Sequence, residues 1–116
     1  MRPMKLADIA AALDCAALTP QDGVGDIDTV VASDGMSEIL AFHTPGAVML
    51  TGLTNIQSVR TAVVADVHAI VYVRGKRPGE PALALAREKG IPVLATRLGM
   101  FESCGILYKR GLKGAM

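Results

Sequence analysis

Three short apolar runs constrain this chain more than any other feature. Residues 47–51 (AVMLT), 69–73 (AIVYV) and 91–95 (IPVLA) hold no charged side chain. A strand without a polar face must be covered on both sides, which is the situation inside a parallel sheet. The segments between the runs have helical spacing. Ile56, Val59, Val63 and Val67 recur every three or four residues, and EPALALAREK precedes a stop at Gly90. Parallel neighbours need a long crossover, usually a helix, and such crossovers are right-handed. The pattern therefore predicts an α/β fold: an open, mostly parallel sheet with helices on both faces.

The remaining elements are shorter. Residues 5–13 (KLADIAAAL) place Leu6, Ile9, Ala10 and Leu13 on one helical face, and CAALT reads as a short strand ending at Thr19-Pro20. QDGVGD has turn chemistry. Residues 27–32 (IDTVVA) read as a strand, followed by the helix GMSEILAF with Ser33 or Asp34 as its cap. Thr54 and Gln57 fit a capping box for a helix over 55–66. A last helix over about 99–110 repeats Met100, Phe101, Cys104, Leu107 and Tyr108, with Lys109 and Arg110 at its negative end. The expected organisation is one domain over residues 4–112, with 113–116 a flexible tail.

Composition narrows the function classes. Hydrophobic residues make up 51% and aromatics only 3%, so the core is aliphatic. Formal net charge is +1, and Arg74, Lys76 and Arg77 form the one short basic cluster. Nucleic-acid binding normally draws on a broader basic surface and on stacking aromatics, so no nucleic-acid partner is expected. Cys15 and Cys104 lie far apart and have no metal-ligand spacing, so they are read as small apolar residues. No apolar run is long enough to span a membrane, and Asp8 interrupts the N-terminal apolar stretch. A cytoplasmic protein without a cofactor is expected.

Ligands of open α/β sheets bind beyond the carboxyl ends of the strands. The segment Thr51-Gly52-Leu53-Thr54-Asn55 offers a glycine for close approach and a helix N-terminus for an anion. It is equally explained by Thr54 capping its own helix. Arg74, Lys76, Arg77 and Arg97 bring positive charge to the same edge, or are simply solvated loop charges. Ser33 and Asp34 form either a cap or the rim of a binding loop. His43 and His68 have no partner at metal spacing. Gly75-Lys76 lacks the flanking residues of a phosphate-binding loop, and no nucleophile elbow or catalytic triad stands out. The expectation is a protein that is not an enzyme.

Four stretches carry a family resemblance: KLADIAAALDCAALT, VVASDGMSEILA, the long segment from TGLTN through GKRPGE to GIPVLAT, and FESCGILYKRGL. Together they resemble the stand-alone DRTGG-domain proteins, which are similar to the N-terminal domain of the HPr serine kinase/phosphorylase. TGLTN stands where the DRTGG pentapeptide would be. The resemblance implies a three-layer α/β/α domain that does not carry the kinase's catalytic loop. DRTGG domains also occur beside CBS domains in nucleotide-responsive proteins, and stand-alone members among anaerobic redox genes. The expected function is thus a regulatory module binding a nucleotide or another anionic small molecule at the strand ends. The alternative is a homodimer that docks a redox or signalling protein.

Overall fold

The apolar runs become the centre of the sheet. The computed structural model describes residues 3–115. Its elements are α1 (Leu6–Ala12), β1 (Ala16–Ala17), β2 (Thr29–Ala32), α2 (Met36–Leu40), β3 (Val48–Thr51), α3 (Ile56–Ala65), β4 (Ala69–Tyr72), α4 (Glu80–Lys89), β5 (Val93–Ala95), α5 (Met100–Lys109) and β6 (Lys113–Gly114). One six-stranded sheet has the order β1-β5-β4-β3-β2-β6. All pairings are parallel except β1 against β5. Every residue of β3, β4 and β5 is buried, as strands covered on both faces require.

Alternate strand residues point into two separate cores. Met49, Ile70, Tyr72 and Val93 pack with Ile39 of α2, Val59 and Ala62 of α3, and Ala82 and Ala86 of α4. Val48, Leu50, Ala69, Val71 and Leu94 pack with Leu6 and Ile9 of α1 and Leu107 of α5. The result is a three-layer α/β/α sandwich. Crossover handedness explains the division. From β2 to β5 the chain steps in one direction across the sheet, so α2, α3 and α4 lie on one face. The chain then returns from β5 to β6, beside β2, and α5 lies on the other face.

Several local expectations shift. The cap of α3 is Asn55, whose side chain accepts from the Ser58 amide at 3.2 Å, so Thr54 is not half of a capping box. Neither Ser33 nor Asp34 caps α2, whose N-cap is Gly35 without a side-chain bond. The inner face of α3 is formed by Ser58, Val59, Thr61, Ala62 and Ala65, leaving Val63 partly exposed. Small residues win this face because they let the helix sit close to the sheet. Residues 113–114, expected to fray, instead form β6. The Lys113 amide donates to Asp28 at 3.0 Å, the Ala115 amide donates to Val30 at 2.8 Å, and Leu112 is buried. Met116 of the expected tail lies outside the described residues.

Candidate functional site

Where two adjacent strands send their chains to opposite faces, a crevice opens beyond their carboxyl ends. In this sheet β4 leads to α4 on one face, and its neighbour β5 leads to α5 on the other. Over the end of β5, between the loop that leaves β4 and the start of β1, lies a cavity of about 410 Å³ lined by Asp14, Ala16, Gly75, Arg77, Ala95, Thr96 and Arg97. A neighbouring hollow shares Asp14, Thr96 and Arg97. The floor is rigid. The Arg74 amide donates to the Leu98 carbonyl at 2.8 Å, and the Gly75 amide to the Thr96 carbonyl at 2.9 Å. These bonds hold Arg74 and Gly75 as consecutive left-handed residues, with φ of 62° and 71°. Such a conformation costs a non-glycine residue about 1–2 kcal/mol, which the two cross-loop bonds offset. Thr96 ties in the far wall by donating to the Leu13 carbonyl at 2.6 Å.

The other sequence-derived candidates form a second, self-contained cluster. The Asp34 carboxylate accepts from the Gly52 amide at 2.7 Å and from the Thr51 hydroxyl at 3.3 Å. It also accepts from the Arg74 guanidinium at 3.3 Å. The Gly52 amide, with help from Arg74 and Thr51, holds the Asp34 carboxyl below the usual carboxylate range despite partial desolvation. Asp34 thus takes the donors that an external anion would use at the end of β3. A Cβ at Gly52 would collide with the Arg74 guanidinium, so this glycine makes room for the ion pair. Ser33 accepts from the Gly35 amide at 2.9 Å and donates to Glu38 at 3.0 Å. Asn55 is occupied by its helix cap, and Thr54 sits half-buried just before it.

The candidates therefore divide. Arg97 lines the crevice, and Arg74 and Lys76 stand exposed on the loop beside it. Thr51, Gly52, Asp34 and Ser33 belong to the internal network, and Thr54 and Asn55 to the start of α3. Arg77, one of the expected edge charges, lines the crevice as well. Asp14 and Thr96 were not among the expected ligand residues. The signal that could have found them was strand order: β1 pairs with β5, which brings the start of β1 to the end of β5. Behind the loops, the buried Tyr72 hydroxyl lies 2.7 Å from Ser58 Oγ, which donates to the Asn55 carbonyl at 2.7 Å. This chain fixes α3 against β4.

Neither cysteine is poised as a nucleophile. Burial, with Asp14 nearby, pushes the Cys15 thiol up to about 11, and burial raises Cys104 as well. Both remain thiols at neutral pH. His68 lies at the opposite edge of the sheet, between α3 and β4, beside Gly25 and Gly46. Among the described residues, no three His, Cys, Asp or Glu side chains are grouped to hold a metal ion. No described helix is long and apolar enough to cross a membrane.

The architecture defines a class by fold alone: an α/β sandwich of a kind also present in a solved structure. That structure comprises the CBS and DRTGG domains of the regulatory region of Clostridium perfringens pyrophosphatase, complexed with the activator diadenosine tetraphosphate. The two superpose with a TM-score of 0.74 at 19% sequence identity, over 89% of this chain and 45% of the other. The present chain spans less than half of that structure, and at this identity the likeness is one of fold. No family model matches the sequence. No curated protein matches it either.

Proposed function

We propose that this chain is a non-catalytic regulatory module of the DRTGG type, akin to the N-terminal domain of the HPr kinase. It binds a nucleotide or another small anion in the crevice over the end of β5, between the β4–α4 loop and the start of β1. The observation that carries this reading is the convergence of Arg77 and Arg97 on one cavity at the diverging exits of two adjacent strands. The cavity falls within the size range of small-molecule sites, roughly 300–1,000 Å³. Guanidinium groups suit phosphate because they donate in a planar fork. Lys76 on the rim adds to the field, the Arg74 charge being balanced by Asp34, while Asp14 in the wall disfavours an anion placed too deep. The regulatory region that shares the fold was crystallised with a polyphosphate dinucleotide, which supports the choice of nucleotides as probes.

Thermal unfolding against a panel of nucleoside mono-, di- and triphosphates and dinucleoside polyphosphates tests the proposal. A ligand present at about 100 times its Kd stabilises by about 2.7 kcal/mol. For a domain of this size, that raises Tm by several degrees or more. The expected result is a shift with one of these phosphates that disappears in the Arg77→Ala/Arg97→Ala variant. A shift that survives in the variant would move the site elsewhere. No shift with any member would overturn the nucleotide reading.

A further inference from the structure

The helix layer formed by α1 and α5 leaves part of the sheet uncovered. Val30 and Ala32 of β2 point to that face but are only half-buried. A groove of about 200 Å³ remains open there, bounded by these two residues, Cys104 and Tyr108 of α5, and Leu112 and Gly114. The flank of α5 along this groove is unusually apolar for an exposed surface. Phe101 is 85% exposed and Tyr108 is 76% exposed. They are seven residues apart, nearly two full turns, and so share one side of the helix. Gly105 lies between them on the same side. A glycine within a helix is unfavourable relative to alanine, yet a Cβ at Gly105 would meet nothing within 4 Å. Packing within the single chain therefore gives no reason for it. A bare helix flank does allow another backbone to approach closely.

We propose that this flank is the contact between two copies of the chain. Their α5 helices pack antiparallel about a two-fold axis that passes between Cys104 and Gly105. Self-matching features favour a second copy over an unrelated partner. Phe101 and Tyr108 are equally distant from that axis, so the two-fold sets each Phe101 against the other copy's Tyr108 and the groove it borders. Charge agrees with the same arrangement. Glu102 lies in the first turn of α5 and Lys109 in the last. They stand about 2.5 and 4.5 residues from the axis on one side of the helix, so an antiparallel pair brings Glu102 of one copy within about 3 Å, measured along the helix, of Lys109 of the other at both ends. An isologous contact of this kind is closed and stops at two copies.

Sedimentation of the full chain at micromolar concentrations reads the proposal directly, and the expected species is a dimer. Gly105→Arg puts a large charged side chain on the axis without touching its own chain, so the circular dichroism spectrum stays unchanged while the dimer is lost. Should that variant fail to fold, Phe101→Glu at an exposed position gives the same readout. Glu102→Lys should raise the dimer Kd, and Glu102→Lys combined with Lys109→Glu should restore it. Three results overturn the proposal: a wild-type chain that stays monomeric over the whole range, a dimer that survives both Gly105→Arg and Phe101→Glu, or a charge reversal that the second substitution does not rescue.

Discussion

Asp34 shows how a polar side chain near a site can serve the protein itself. Its carboxyl is held low chiefly by the Gly52 amide and then by Arg74 and Thr51. In the unfolded chain the same group titrates near 3.9. A group whose pKa is lower in the folded state stabilises the fold fully above its unfolded value, and that stabilisation is lost as pH falls through the folded one. Both ends of the Asp34–Arg74 pair are about half exposed, at 51% and 44%, so water screens it. Its contribution is about 1 kcal/mol or less. Asp34→Asn should therefore be slightly less stable than the wild type at pH 7 in urea unfolding. The gap should begin to narrow below about pH 4 and close only as pH falls through the lower folded-state value, where the wild-type carboxyl is protonated in the fold as well. A gap that persists or widens in acid would mean that the charge is not what matters. The sequence marked Asp34, Thr51, Gly52 and Arg74 as special and left them open between a ligand and local roles such as a helix cap or a solvated loop charge. No local spacing announces an ion pair between residues 40 positions apart, so whether a donor is free or already taken is a property of the folded chain alone.

At the scale of elements, legibility followed the strength of the local pattern. The strands from β3 to β5 and the helices between them were readable because an uncharged run and a 3.6-residue period are physical requirements of burial. The cap of α3 slid by one residue because Thr54 and Asn55 are both good caps, and only the path of the chain decides between them. β6 was unreadable for a different reason. GLKGAM has no strand or helix period, and Lys113–Gly114 become a strand because α5 delivers them to the open edge of β2, with Leu112 as the buried anchor. Replacing Ala115 by proline tests this. The substitution deletes the donor of the 2.8 Å bond to Val30 and should cost about 1 kcal/mol in chemical denaturation. If the end of the chain were frayed, the substitution would be silent.

Across the whole molecule, stability should be graded from the middle of the sheet outwards. β3 and β4 each have a strand on both sides and helices on both faces, and none of their residues is exposed. Burying each Val, Ile, Leu or Met there contributes about 1.5–3 kcal/mol, so opening either strand means losing both cores at once. β1 and β6 are edge strands of two residues, and those of β6 are exposed. Native-state hydrogen exchange should show this order. The amides of Met49, Leu50, Ile70 and Val71 should exchange only through global unfolding, while those of Lys113 and Ala115 should exchange through local opening. The amides of Arg74 and Gly75, bonded across the crevice floor to Leu98 and Thr96, should fall with the central strands rather than with the edges. The crevice is then formed before any ligand arrives, and ligand binding would leave these two amides unchanged relative to global unfolding while raising the protection of the whole set together. Exchange at Arg74 and Gly75 as fast as at the edges would instead mean that the loop orders only on binding. The ligand would then have to supply that ordering free energy from its own contacts.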